Sequence, residues 1–208
     1  MSSNKSEIVV TPEFRMVWPN LFEPRAFMRD GKPTGEPKYG LTMLFTKDDI
    51  SGLKVVAAKV AKAQWPGRDL KELKFPFKNG DALAKASVEK DVAADKTPRD
   101  VSFYEGKVVV KTSSKFAPQV YGMDRKEVLD PKRAYSGAFG YAELNFVAYP
   151  GVGGGQDGVT CYVNFVMLSD RKGDRIAGRN VEDVFAGIQG SDVAADVGGD
   201  TLDDEIPF

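Results

Sequence analysis

Residues 138–149 (AFGYAELNFVAY) and 158–168 (GVTCYVNFVML) alternate with a period of two residues, and an eight-residue connection, Pro150 to Asp157, carries four glycines. Two such runs around a Gly-rich connection form an antiparallel hairpin with one buried face. Opposing Tyr149 to Gly158 puts Ala142, Leu144 and Phe146 with Cys161, Val163 and Phe165 on the core side. The same register gathers Tyr141, Glu143, Asn145, Tyr162 and Asn164 on the outer side. A one-residue slip would invert both faces, so the chemical consistency of each face supports this pairing. The Gly-rich connection lacks a Gly-Lys-Ser/Thr sequence and no helix follows it, so it reads as a hairpin tip rather than a phosphate loop.

The rest of the chain supplies partners for that hairpin. Residues 8–18 (IVVTPEFRMVW) alternate, with Ile8, Val10, Phe14, Met16 and Trp18 on one face, and Pro12 marks an edge or a bulge. Residues 19–37 read as a loop, and 38–46 as a strand with Tyr39, Leu41, Met43 and Phe45 inward. From Lys47 the period becomes helical: Asp48 or Asp49 is placed to cap, and Leu53, Val56, Val60 and Ala63 form a stripe that Pro66 ends. Residues 67–100 are irregular, with room for a strand near 73–77, a Lys78-Asn79-Gly80-Asp81 turn and a short helix over 81–90. A further strand spans 106–116. Five strands and one main helix predict a mainly β chain built as an OB-like, five-stranded, partly open β-barrel. The helix falls after the second strand, where the usual OB order places it after the third.

Composition closes several routes to catalysis. The 208 residues include no histidine and one cysteine, Cys161. That removes the commonest general base and metal ligand, an intramolecular disulfide, a Cys/His zinc site and a Cys–His nucleophile. Cys161 lies in an apolar stretch, as a buried thiol would. No run approaches the ~20 apolar residues of a membrane span, and the first residues show no signal peptide. These readings predict a soluble cytoplasmic chain, with no cofactor, no metal and no membrane partner.

The formal net charge of −1 is a cancellation. Eight of the 30 acids follow Arg179 and no base does, so residues 1–179 carry 29 bases against 22 acids. A body of +7 thus precedes a tail of −8, the asymmetry of a nucleic-acid binder with an interaction tail. The expected organisation is a DNA-binding domain over 1–180 and a flexible acidic tail over 181–208.

The tail ends Thr201-Leu202-Asp203-Asp204-Glu205-Ile206-Pro207-Phe208. Those acids followed by Ile-Pro-Phe closely resemble the C-terminal tip of bacterial single-stranded-DNA-binding proteins. The resemblance implies that Asp203, Asp204, Glu205, Ile206, Pro207 and Phe208 bind replication and recombination partners. A second resemblance covers most of residues 8–170. Trp18-Pro19-Asn20-Leu21-Phe22-Glu23-Pro24-Arg25, Glu36-Pro37-Lys38-Tyr39, Leu44-Phe45-Thr46-Lys47-Asp48-Asp49, the Lys78–Asp81 turn and Tyr135-Ser136-Gly137-Ala138 are similar to phage-encoded single-stranded-DNA-binding proteins. It implies an OB-like fold and sequence-independent binding of single strands in phage replication or recombination.

The physical requirement for such binding is a basic groove interleaved with aromatic rings, cations for phosphates and flat faces for unpaired bases. Three places qualify. Lys107, Lys111 and Lys115 recur every four residues on one face of 106–116, a row of about 27 Å; a merely solvated strand face reads equally well. The loop after the first strand carries Arg25, Phe27, Arg29, Lys32 and Lys38, where an OB barrel borders its cleft. The hairpin's outer face and its approach carry Tyr121, Arg125, Lys132, Arg133, Tyr135, Phe139, Tyr141 and Tyr162. For any one of these aromatics, core packing or a dimer contact is an equal alternative.

The leading reading is therefore a non-enzymatic protein that coats single-stranded DNA, as a homodimer or higher oligomer on it, and recruits partners through its tail. A strand-annealing recombination protein is one alternative. A Mg-dependent nuclease using Asp48, Asp49, Asp91, Asp95, Asp100 and Glu143 is another, though no acid pair is joined to a recognisable catalytic lysine motif.

Overall fold

Proline 12 breaks the first strand pattern in two, because it cannot donate to a ladder. In the computed structural model, which describes residues 4–29 and 32–176 apart from the side chains of Phe27 and Arg29, the pattern becomes β1 (Ser6–Val10) and β2 (Phe14–Arg29). The chain continues through β3 (Lys32–Phe45), α1 (Ser51–Gln64), β4 (Phe77–Asn79), α2 (Gly80–Ala93), β5 (Val108–Ser114), β6 (Gln119–Tyr121), β7 (Phe139–Tyr149) and β8 (Gly158–Leu168). Both β1 and β2 run antiparallel to β7, but Val10 faces Glu143 whereas Phe14 faces Gly140, a slip of one residue. Thr11 holds the break, its N–H donating to the Ala142 carbonyl and its Oγ1 accepting from the Ala142 N–H at 3.0 Å. The slip inverts the expected face: Phe14 and Met16 are buried, Ile8 and Val10 are exposed. Trp18 also leaves that face. It sits at φ 46° and its ring stands edge-on to Phe103 and Tyr104, with centroids 5.8 and 6.2 Å away.

The strands form one sheet in the order β4–β5–β3–β2–β7–β8–β6, with β1 beside β7. All pairings between these strands are antiparallel except β6 with β8. The sheet curls until β5 comes within packing distance of β8, yet no ladder joins them. Counting β1 and β2 as one broken strand, the five long strands follow the order of an OB barrel left open between its third and fifth members. The architecture is mainly β with two helices, OB-like and not closed. Beyond the expected barrel the structure adds β6, which lies between β5 and β7 in the chain. The strand looked for near 73–77 is β4, displaced to Phe77–Asn79, and α2 outgrows the expected 81–90 at both ends. The residues read as a loop over 19–37 are mostly strand, extending β2 and β3 into a long, irregular arm.

Inside the barrel Phe14, Met16, Met43, Phe45, Val110, Leu144, Phe146 and Cys161 pack together. Helix α1 contributes Leu53, Ala57, Val60 and Ala61 to that core. Its N-cap is Ile50, with no side-chain cap, because Asp49 is bonded to Thr46 instead. A second cluster lies on the opposite side of the sheet, where α2 and residues 94–107 bury Val17, Leu44, Val109 and Tyr104. A nearly buried Asp91 anchors that covering layer, accepting from Arg99 Nε at 2.7 Å and Nη2 at 2.5 Å. The Arg99 guanidinium holds the Asp91 carboxyl down to about 2. No helix among the described residues is long and apolar enough to cross a membrane.

The hairpin register is the expected one from Tyr149–Gly158 to Leu144–Val163. There Asn164 enters as an extra residue, so Glu143 faces Phe165 and Ala142 faces Val166. A bulge of this kind swaps the two faces beyond it. Val166 and Leu168 become core, and Phe165, expected inside opposite Ala142, stands outside with 42% of its surface exposed.

Candidate nucleic-acid interface

The open seam between β5 and β8 lies in a groove. Three adjoining cavities build it, of about 530, 680 and 360 Å³. The first follows the β2–β3 arm and is lined by Arg25, Lys38, Tyr39 and Ser113 among others. The second shares Lys38 and Ser113 with it, crosses the seam, and adds Lys115, Phe116, Asn145, Tyr162 and Phe165. The third shares Phe165 with the second and reaches Tyr121, Arg125 and Tyr141. Because each cavity shares walls with the next, they form one track from the arm to β6.

Local structure explains why these side chains face outward. Gly40 and Ser113 are ladder partners, so the outer sides of β3 and β5 are nearly free of bulk there. The bulge at Asn164 turns Phe165 outward, and the parallel pairing of β6 sets Tyr121 against Met167. The rings of Tyr121 and Phe165 lie 6.3 Å apart at 35°. Phe116, past the end of β5, is 82% exposed, and Tyr162 is 42% exposed. Exposed rings of this kind offer stacking faces.

Arg25, Lys38 and Arg125 have no carboxylate partner among the described residues, whereas Lys115 is ion-paired with Glu36. Lys111 lies on the same outer face of β5 as Ser113. It is exposed by area, yet burial around its ammonium and the nearby Lys78 lower its pKa. The floor is polar at several points. Asn164 Nδ2 donates to Glu143 Oε1 at 2.9 Å and the Tyr121 hydroxyl donates to Gln119 Oε1 at 3.1 Å. Buried Asn145 Oδ1 has no hydrogen-bond partner.

Of the expected residues, the groove brings together Arg25, Lys38, Lys115, Tyr121, Arg125, Tyr141 and Tyr162. Lys32 is exposed at the far end of the arm, opposite Arg29. Phe27 faces Thr34 in the same ladder; the side chains of Phe27 and Arg29 lie outside the described residues, as do Asp203, Asp204, Glu205, Ile206, Pro207 and Phe208. The lysine row is not continuous. Val109, between Lys107 and Lys111, is buried under the second cluster, and Lys107 lines a different cavity with Phe103 and Phe139. Tyr135 is engaged elsewhere: its hydroxyl donates to the Gly173 carbonyl at 2.9 Å, and the Arg175 guanidinium lies 4.9 Å over its ring.

Phe165, Phe116 and Tyr39 line the groove and were not among the expected site residues. Phe116 carried a signal, since it follows Ser-Ser-Lys and precedes a proline loop. Phe165 carried none, because only the bulge reverses its side. The acids weighed for metal chemistry are dispersed: Asp91 is held by Arg99, Glu143 by Asn164, and Asp49 by Thr46. Among the described residues no group of three or more is placed to hold a metal ion.

The family model described as Enterobacter phage Enc34, ssDNA-binding protein, matches residues 7–197. Among solved structures, the single-stranded DNA-binding protein from bacteriophage Enc34 in complex with ssDNA is 22% identical with a TM-score of 0.54, covering 82% of this chain and 89% of that one. Another structure of the same bacteriophage Enc34 protein is 18% identical with a TM-score of 0.56, covering 87% of this chain and 90% of that one. At these identities the structural likeness is one of fold. No curated protein matches the chain.

Proposed function

The chain belongs to the phage Enc34 single-stranded-DNA-binding protein family, and from that premise we propose that it coats single-stranded DNA without sequence preference, along the groove from Arg25 to Arg125. The observation that carries the reading is the succession, in one continuous track, of exposed rings and cations that have no carboxylate partner among the described residues: Arg25 and Lys38, then Phe116, Tyr162 and Phe165, then Arg125. Cations neutralise phosphates and release counterions, while rings stack on bases of any identity. A duplex presents no free base faces, so the stacking contribution favours single strands.

In this reading the protein is not an enzyme and needs no cofactor. Residues 1–180 bind DNA and 181–208 act as an interaction tail, whose tip, Asp203 to Phe208, is handed to replication and recombination proteins in the host cytoplasm. The tail's −8 also competes with phosphate for the +7 body.

Fluorescence anisotropy of labelled single- and double-stranded oligonucleotides, titrated at several salt concentrations, tests the central claim. The expected result is preference for single strands, with affinity falling steeply with salt at a slope of about −0.7 per neutralised phosphate. Equal affinity for duplex, or no salt dependence, overturns it. Deleting residues 192–208 should preserve or strengthen DNA binding and abolish partner capture. Labelled strands should remain intact after incubation with Mg²⁺ or Mn²⁺.

A further inference from the structure

A second charged cavity, of about 510 Å³, lies beyond the groove on the same outer side of β7. Arg15 and Phe139 oppose each other in the β2–β7 ladder, and the Arg15 guanidinium lies 6.0 Å from the Phe139 ring centroid. Backbone carbonyls hold that guanidinium, with Nη2 donating to Asp174 at 2.7 Å and Nε to Gly137 at 3.4 Å. On the same ring lies the Arg171 guanidinium, at 3.9 Å. Lys107 completes the lining and has no carboxylate partner among the described residues. Of the two acids there, Glu13 is ion-paired, accepting from Arg171 at 3.0 Å and from the Ser169 hydroxyl at 2.7 Å, and Asp49 accepts from the neutral Thr46 hydroxyl at 2.5 Å.

The position of this cavity gives it a meaning. Phe139 and Tyr141 point to the same side of β7, two residues or about 7 Å apart, and Tyr141 lines the last part of the groove. Pro12 of the second cavity likewise follows Val10 of the groove by two residues. A chain leaving the groove past Tyr141 therefore meets Phe139 next, with two guanidinium groups against its ring and Lys107 in the same lining.

We propose that the cavity formed by Arg15, Lys107, Phe139 and Arg171 is an extension subsite for the phosphodiester backbone of the same single strand. It lengthens the path of the DNA around the barrel. The subsite rests on the reading of the groove as the primary single-strand site. Lys107 and the outer edge of the Arg171 guanidinium, whose Nη1 is shared with Glu13, supply charge to phosphates, and Phe139 orients the Arg171 plane. Short strands fill the groove alone, and longer strands gain affinity by reaching this cavity.

The test is an anisotropy series with labelled oligothymidylates of increasing length, using the full chain and its Lys107→Gln/Arg171→Gln variant. The expected result is equal affinity for the shortest strands that bind and a lower plateau for long ones. The salt slope for long strands should fall by about 1.4, for two phosphates at ~0.7 each. Lys107→Glu alone, which breaks no described ion pair, repeats the test should the double variant fail to fold. Identical length dependence in variant and native chains overturns the subsite, and so does an equal loss at every length. The primary reading fails separately, if the native chain binds no strand of any length.

Discussion

The outer surface of the barrel is treated in two ways. Over Val17, Leu44 and Val109 it is covered by α2 and the segment after it, which Asp91 and Arg99 tie down. Over Gly40, Ser113, Tyr162 and Phe165 it is bare. Both regions include the same face of β5, with Val109 and Ser113 four residues apart on it. The covered part is apolar because it serves as a second core. The bare part combines small residues, exposed rings and cations that have no carboxylate partner among the described residues. Single-stranded DNA is complementary to that combination, since it brings both negative charge and flat apolar surfaces.

The comparison breaks first on the two phenylalanines of the hairpin. Phe146→Ala should cost about 3–5 kcal/mol of stability by denaturant unfolding. Phe165→Ala should leave the unfolding midpoint nearly unchanged and weaken single-strand binding by about 1–3 kcal/mol. Were Phe165→Ala as destabilising as Phe146→Ala, the bulge would not separate core from site. Along β5, Val109→Asp buries a charge without a partner and should cost about 3 kcal/mol or more. Ser113→Asp should fold normally and bind DNA more weakly, because its charge faces the path of the phosphates.

Smaller effects sharpen the contrast. Replacing both Arg25 and Lys38 with Gln should lower affinity for single strands about tenfold at moderate salt and flatten the salt slope by about 1.4, with no change in melting temperature. For the covered face, the handle is acid. Asp91 has its folded pKa lowered from 3.8 to about 2 by Arg99. Its contribution is therefore complete above 3.8 and is lost as pH falls toward 2. Native protein should be more stable than Asp91→Asn near neutrality, and thermal melts at falling pH should show the difference shrinking across that window. Finally, burial pushes the Cys161 thiol up to about 12, so alkylation should be negligible in the folded protein and follow unfolding.

Several features were legible because they depend on neighbours in the chain. Alternation over 138–149 and 158–168 specified the hairpin and most of its register, and helical spacing specified α1, whose buried Leu53 and Val60 lie on the expected stripe. The groove was half legible. Arg25, Lys38 and Lys115 were singled out by charge, Tyr141 and Tyr162 by lying on the hairpin's outer face and Tyr121 by lying on its approach, and all six line it. The lysine row is interrupted where Val109 is buried, because periodicity cannot tell which part of a strand face another element will cover.

What the amino-acid order determined alone was period, charge and composition: an antiparallel β chain with a basic body, an acidic tail and no histidine. Tertiary structure decided which side of each strand meets water. Single-residue slips at Pro12 and Asn164 reverse the faces beyond them, exposing Ile8, Val10 and Phe165. Packing of α2 on one flank of the barrel, and not the other, then chose the surface that stays open. Both decisions rest on contacts between residues far apart in the chain, where the energy of burying one face exceeds any local preference.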